Sequence, residues 1–357
     1  MARVLYILLA ILCFGVMVAI HEFGHFLTAK LLKVRVNEFS VGMGPALWSK
    51  EKGETKYSLR ALPIGGYCAM EGEDEDTGDP HAFSVQPWWK RVIILCAGAA
   101  MNFLLGLVIV VLLYSGVSMA RQPVITEFMD GFPLEGEQGL MVGDRILAID
   151  GHRILMYSDV QTFLARNDGS GMDITVLRDG EKVRLRDLPL VPREYVYEGE
   201  TVTMFGLIFG QAEELGFFGR LRQGAAQAVD FVRLVWVSLG DLLGGRARLR
   251  DMSGVIGIVD AVGSVGAASQ TVADGLMSVF YFVAFISVNL AVMNLLPVPA
   301  LDGGRIFFIL VNALVYLVSR RRIPAKYEGY VHTAGFVLLL ALMAVIAFQD
   351  VWKIVAS

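Results

Sequence analysis

Charge is scarce in this sequence. Asp, Glu, Lys and Arg make up 18% of its 357 residues and hydrophobic residues 55%, whereas a soluble domain is about 25% charged. With a mean hydropathy of +0.56, a wholly soluble protein is excluded; the balance is that of a polytopic membrane protein with some soluble mass attached. An excess of positive charge is missing too. Lys and Arg number 31 against 35 Asp and Glu, which leaves no basic domain for nucleic acid. Cysteine is nearly absent: Cys13, Cys68 and Cys96 are an odd number without a CxxC pair, which excludes a disulfide framework and a thiolate metal site of that spacing.

Long apolar runs are what the chain has in abundance, and the first of them leads into polar chemistry. Residues 4–20 read VLYILLAILCFGVMVAI, and His21-Glu22-Phe23-Gly24-His25 follows before FLTA and Lys30. On an α-helix residues four apart share a face, so His21 and His25 can reach one metal ion while Glu22 stands beside them as a base. HExxH alone is a short pattern, and in soluble proteins it is usually a solvated helix face. In hydrocarbon, an ionisable residue costs about 2.5–3.5 kcal/mol on insertion scales, so this cluster needs something to pair it. A signal-peptide core fits poorly, since such cores run to about 7–15 apolar residues before a small-residue cleavage site.

The first span, about residues 4–29, is long enough to cross about 30 Å of hydrocarbon. Positive charge collects between Lys30 and Arg91, including Lys33, Arg35, Lys50, Lys52, Lys56 and Arg60, which puts that loop in the cytoplasm. Within it, β-branched and aromatic residues flank Lys52-Gly53-Glu54 and predict a hairpin or small sheet. Gly42, Gly44, Gly65 and Gly66 allow another backbone to approach closely. A hairpin lying on the membrane surface and a sheet dipping toward the metal are both open. The acidic run Glu71–Asp79 reads as a solvated loop. Residues 92–119 form the second span, with Trp88, Trp89, Lys90 and Arg91 at its interface and Ala97, Gly98, Ala99 and Ala100 for close helix packing.

From Arg121 to about residue 210 the pattern is that of a soluble domain. GLMVGDRILAIDGHRI alternates as a strand up to Asp150-Gly151, SDVQTFLARN reads as a helix capped by Ser158, and ITVLRDGEKVRLRDL as a hairpin turning at Asp179-Gly180. These stretches resemble a PDZ domain, a module that binds extended peptides at a sheet edge. The resemblance makes Phe205, Gly206, Leu207 and Ile208 the place for a peptide C-terminus; the plainer reading is a β connector back to the membrane. Residues 214–250 place Arg220, Arg222, Arg233, Arg246, Arg248 and Arg250 among apolar positions at helical spacing, as in a helix lying on the membrane surface.

The third span, about residues 276–301, runs into Pro297 and Pro299, which end the helix and leave Asp302 facing a cavity. Catalytic zinc commonly has three protein ligands plus water, and Asp302 is the best placed carboxylate for the third. Asn289 and Asn294 on the same helix can donate to a substrate carbonyl or bond a neighbouring helix. IFFILVNALVYLV, after Arg305, is too short to span comfortably and reads as interfacial or re-entrant; residues 331–349 form the fourth span. The segments are therefore 1–33, 34–89, 90–120, 121–210, 211–275, 276–303, 304–330 and 331–357. The expected architecture is an α-helical polytopic membrane protein of four transmembrane helices, with a cytoplasmic-side, membrane-associated β-hairpin or sheet and an inserted α+β PDZ-like domain.

HEFGH in the first span, PIGGY in the loop, the PDZ-like insert and N-x-x-P-x-P-x-L-D-G-G near the end together resemble the site-2 protease family of intramembrane zinc metalloproteases. The bacterial branch that regulates sigma-E by cutting anti-sigma factors is the most similar. The resemblance implies Zn2+ held by His21, His25 and Asp302, Glu22 as general base, and a substrate strand aligned by Gly65, Gly66 and Tyr67. It implies a multi-pass protein of the bacterial cytoplasmic (inner) membrane, with the active site near the cytoplasmic face and the PDZ-like domain outside. Its substrates would be single-span membrane proteins embedded in the lipid bilayer, pre-trimmed and anti-sigma-factor-like or signal-peptide-like. Two departures stand out. Family members often have Gly-Pro where this chain has Gly98-Ala99 and Gly254-Val255, which touches packing rather than the metal, and there is one PDZ-like domain where the sigma-E regulator has two. The rival function is a non-catalytic membrane scaffold or receptor for extracytoplasmic peptide tails, which has no need of His21, Glu22, His25 and Asp302 together. A transporter is opposed by the lack of a recognisable inverted repeat.

Overall fold

The computed structural model describes residues 2–73, 77–167, 169–197, 199–210, 212–246, 254–269, 271–321 and 325–356. Arg248 and Arg250 of the surface helix and positions 74–76 of the acidic run lie outside them. In chain order the elements are α1 (Ala2–Leu31), β1 (Val36–Lys52), β2 (Thr55–Met70), α2 (Trp88–Ser115), β3 (Met119–Ala120), β4 (Ile125–Phe128), β5 (Arg145–Ile149) and β6 (His152–Arg153). Then come α3 (Tyr157–Leu164), β7 (Met172–Arg178), β8 (Glu181–Leu188), β9 (Arg193–Tyr197), β10 (Glu200–Met204), β11 (Leu207–Phe209) and β12 (Glu213–Glu214). Helices α4 (Phe217–Leu243), α5 (Val255–Ala268), α6 (Val272–Asn294), α7 (Asp302–Ser319) and α8 (Ala325–Ala356) complete the chain. Two compact units result: Met1–Leu113 with Phe231–Ser357, and Tyr114–Asp230.

Among the described residues, five helices are long and apolar enough to cross a membrane: Arg3–Leu31, Trp88–Ser115, Val272–Asn294, Asp302–Ser319 and Tyr327–Lys353. The chain is thus a polytopic helical membrane protein that also carries β-sheet. One more helix qualifies than the sequence suggests, because α7 begins at Asp302 and takes the Gly303-Gly304-Arg305 turn into the helix, reaching 18 residues. Its mean hydropathy of 1.4 is the lowest of the five. Helix α6 stops at Asn294, just ahead of Pro297, which has no N–H to continue the ladder.

The membrane unit has two apolar cores, one on either side of the HEFGH turn. Toward the N-terminus of α1, Tyr6, Ala10 and Met17 pack with Val262 of α5 and with Val279 and Val283 of α6. Toward its C-terminus, Ala29 packs with Val34, Val36, Cys68, Met70, Phe83, Ile94 and Leu95. Between them the helices approach more closely than ordinary side chains allow: a Cβ on Gly24 would lie 2.4 Å from the Ala97 carbonyl oxygen of α2.

Strands β1 and β2 join through Gly53-Glu54 but do not form a simple hairpin. Each bends and doubles back, so that Glu38 faces both Ala69 and Lys56, and Val41 faces both Gly66 and Leu59. Gly42 makes the bend possible: its φ is +84°, and a Cβ there would lie 2.6 Å from the Leu62 carbonyl oxygen. One face of the sheet is apolar and packs Phe39 and Tyr57 against Phe26 of α1. The other is polar. Glu38 accepts from Ser58 at 2.6 Å and from Arg60 at 2.9 Å, and Arg60 also donates to the Gly44 carbonyl. Burial opposes ionisation of Glu38, but these hydrogen bonds prevail and hold its carboxyl down at about 2. The bend before Gly65 reaches far up α1, since a Cβ on Gly15 would meet the Pro63 carbonyl oxygen at 2.1 Å. Gly15 precedes His21 by six residues, about 9 Å along the helix, so the sheet runs past the HEFGH turn rather than stopping at the end of α1.

In the second unit, β6-β5-β7-β8 form an antiparallel sheet with Ile146, Ile149, Ile174 and Val176 fully buried. Helix α3 buries Val160 and Phe163, and β11 pairs with β4. Asp144, from the Gly-Asp pair of the PDZ-like stretch, is buried and accepts from Arg178 Nε at 2.8 Å and Nη2 at 2.7 Å, as a buried carboxylate must to be tolerated. Helix α3 is capped at Met156 and not at Ser158. The Asp159 carboxylate reaches back to the backbone N–H of Leu155 and Met156, so it answers the first unpaired donors.

Candidate active site

His21 and His25 stand one turn apart on α1 with ring centroids 4.7 Å apart and Nε2 atoms 3.1 Å apart. The His25 Nδ1 atom lies 2.9 Å from the Ile94 carbonyl oxygen of α2. That oxygen can only accept, so Nδ1 carries the proton and Nε2 presents a lone pair. Asp302, the first residue of α7, brings Oδ2 to 3.1 Å from His21 Nε2 and 3.3 Å from His25 Nε2. The three side chains are only 11%, 8% and 18% exposed, so water cannot screen them well.

Glycines make this convergence possible. A Cβ on Gly98 would lie 2.5 Å from His25 Nε2 and 2.7 Å from His21 Cε1; the space over the imidazoles exists because α2 has no side chain there. At the other end, a Cβ on Gly303 would meet the Leu296 carbonyl oxygen at 2.2 Å, and one on Gly304 the Val298 carbonyl oxygen at 2.4 Å. The Gly-Gly after Asp302 therefore lets residues 295–301 fold back against the start of α7.

Three ligand-type atoms at 3.1, 3.1 and 3.3 Å from one another have too few protons to satisfy one another. With His25 Nε2 unprotonated, the buried Asp302 Oδ2 can receive at most one hydrogen bond from the two imidazoles, that of His21, a poor exchange for a carboxylate oxygen taken out of water. Tetrahedral zinc with nitrogen and oxygen ligands at about 2.0–2.1 Å spaces those ligands about 3.3 Å apart. The donor set fits a zinc ion, and among the described residues it is the one His/Cys/Asp/Glu cluster that can hold a metal.

Glu22 follows His21 and lies against the sheet: a Cβ on Gly66 would lie 3.5 Å from Glu22 Cγ and 2.8 Å from the Ser40 carbonyl oxygen. Gly65 takes φ +88° at the bend, and the Tyr67 hydroxyl accepts from Arg60 on the polar face. Gly65, Gly66 and Tyr67 are thus on the strand that passes Glu22. Asn294, at the end of α6, has its amide nitrogen 3.5 Å from His21 Nδ1, as does Asn102 of α2. Asn289, half-buried and five residues earlier, makes no hydrogen bond to the cluster. Phe205, Gly206, Leu207 and Ile208 belong to the other unit. Leu207 and Ile208 pair with Phe128 and Glu127 of β4, Gly206 accepts from the Met129 N–H at 2.9 Å, and Phe205 precedes them.

The sequence profile of peptidase family M50 matches residues 9–342. The chain belongs to that family. A protein of Clostridium acetobutylicum named as a zinc metalloprotease is 34% identical over 97% of this chain and 97% of its own length. Its counterpart in Clostridium perfringens is 33% identical over 97% and 98%. The regulator of sigma-W protease RasP of Bacillus subtilis is 27% identical over 96% of this chain and 97% of its own length. The M50 chain described here is accordingly a zinc metalloprotease.

Sequence reasoning alone does not find two groups of this M50 peptidase that touch the histidines. Gly98 reads from the sequence as a helix-packing position away from the metal, but a side chain there would collide with both imidazoles. The carbonyl of Ile94 has no sequence signature at all. The small-residue run Ala97–Ala100 is the available signal, since it marks where two backbones come close enough for one to face the other's side chains.

Proposed function

We propose that this M50 peptidase hydrolyses peptide bonds within or near transmembrane segments of single-span membrane proteins. The observation that carries the proposal is the triangle of His21, His25 and Asp302, with Glu22 next to His21, on a helix whose composition is that of a membrane span. His21, His25 and Asp302 would hold the zinc. When bound, zinc supplies Lewis acidity that acidifies water and polarises a carbonyl. Glu22 takes the proton of the attacking water and returns it to the leaving amine. Asn294 donates to the substrate carbonyl. The strand at Gly65, Gly66 and Tyr67 pairs with the substrate, replacing the backbone hydrogen bonds that a helix loses when it unwinds in lipid.

In this reading four of the five qualifying helices span a bacterial cytoplasmic membrane, α7, the least apolar of them, lies at its interface, and the active site faces the cytoplasm. The Arg/Lys content of the 30–91 loop supports that orientation. Residues 121–210 are PDZ-like and lie outside, and Phe205–Ile208 form their peptide-accepting edge. This part admits substrates whose outer domain has already been trimmed, anti-sigma-factor-like proteins among them.

Two experiments test this. Zinc-loaded protein in detergent is expected to cut a helical membrane substrate, and Asp302→Ala to lose both zinc and cleavage; full zinc in Asp302→Ala would move the third ligand elsewhere. Replacing residues 124–208 by a flexible linker is expected to permit cleavage of untrimmed substrate. Untrimmed substrate left intact while trimmed substrate is cut at the normal rate would rule out filtering by this unit.

A further inference from the structure

Asp302 depends on the loop between α6 and α7, and that loop contains a backbone conformation that alanine disfavours. Ala300 has φ +73°, in the left-handed region that costs any residue with a Cβ. Something must hold it. The Ala300 N–H donates to His332 Nδ1 of α8 at 3.0 Å, and the His332 ring lies 5.5 Å from that of Phe308 on α7. Three residues further along α8, on the same face, a Cβ on Gly335 would lie 2.3 Å from Cβ of Pro299. Helix α8 therefore grips adjacent loop residues at two points, by a hydrogen bond to Ala300 and by the close approach of Gly335 to the Pro299 ring. On its other side the loop is pressed against Gly303 and Gly304. Most of α8 is otherwise exposed.

We propose that His332 and Gly335 are positioning residues: they clamp the Pro299-Ala300 step and through it keep Asp302 in the metal's ligand set. The inference rests on the reading of Asp302 as third ligand. It gives the last helix a part in the site although it supplies no ligand. The accepting atom is what matters at His332, and the missing side chain is what matters at Gly335.

The test is the rate at which the full-length, zinc-loaded protein in detergent releases zinc to a chromophoric chelator. His332→Ala is expected to release it about tenfold faster, the lower end of what outer-shell changes do to metal affinity. His332→Asn, whose side-chain oxygen can accept the Ala300 N–H, should restore a rate close to that of the unsubstituted protein. Gly335→Ala should also speed release. Gly329→Ala, on the same helix with nothing within 4 Å of its Cβ position, should not, and this pair carries the test if His332→Ala does not fold. Release unchanged in both His332→Ala and Gly335→Ala, with Asp302→Ala still devoid of zinc, would overturn the clamp and leave the ligand set intact. Zinc retained by Asp302→Ala would overturn the ligand reading itself. His332→Asn as fast as His332→Ala would overturn the role of the accepting atom.

Discussion

Glu22→Gln is expected to lower cleavage of a membrane-embedded substrate by about a hundredfold to ten-thousandfold, the range for losing a general acid–base group, while zinc stays bound at full stoichiometry. Glutamine has the shape of glutamate but cannot take up a proton. Glu22 is not part of the triangle formed by His21, His25 and Asp302, so its replacement leaves the three donor atoms where they are. Its neighbour Gly66 leaves room for the isosteric side chain. Turnover and metal content measured on one preparation separate the two effects. Near-normal turnover would remove Glu22 from the chemistry, and loss of zinc together with turnover would make it a ligand or a structural support.

Gly98→Ala is expected to weaken zinc binding by about 10- to 100-fold or more, although residue 98 offers no ligand. The added methyl group would lie 2.5 Å from His25 Nε2 and 2.7 Å from His21 Cε1. The helices cannot readily part to relieve this, because α1 and α2 are also in contact at Gly24 and Ala97, and His25 is tied to the Ile94 carbonyl. The imidazoles must turn instead, which aims their lone pairs away from Asp302. Competition with a chelator of known affinity measures the effect, with Gly240→Ala, where nothing lies within 4 Å, as the silent control. Unchanged affinity in Gly98→Ala would mean that the imidazoles move aside without cost and that the glycine serves helix packing alone.

The cluster proposed as ligand pair and base is legible in the chain itself, because HEFGH needs only helical periodicity and an apolar flank to suggest a site. Asp302 requires one more step, the count of ligands that zinc takes, combined with two prolines that break the preceding helix. The rest depends on long-range contact. Gly98 faces the imidazoles only because α1 and α2 cross at Gly24, 74 positions earlier in the chain. The doubling back of β1 and β2 is hidden because glycine and proline at residues 42–45 and 63–66 interrupt the period-two pattern at the bends. Helix α7 gains its first turn from Asp302-Gly303-Gly304-Arg305, which the apolar pattern leaves outside the helix and which joins it as the glycines pack against the preceding backbone. The cap of α3 falls at Met156 because Asp159 satisfies the donors that local pattern assigns to Ser158.

X-ray absorption at the zinc edge, on the full-length protein loaded with one equivalent of zinc, tests the central claim most directly. The expected spectrum has only nitrogen and oxygen neighbours at about 2.0–2.1 Å, with the outer-shell scattering of two imidazoles, and Asp302→Ala abolishes the zinc signal. Cys68 and Cys96 are close enough in sequence to the hairpin and to Gly98 to offer the alternative. A sulfur neighbour at about 2.3 Å, or a single imidazole, would contradict a zinc site built from His21, His25 and Asp302.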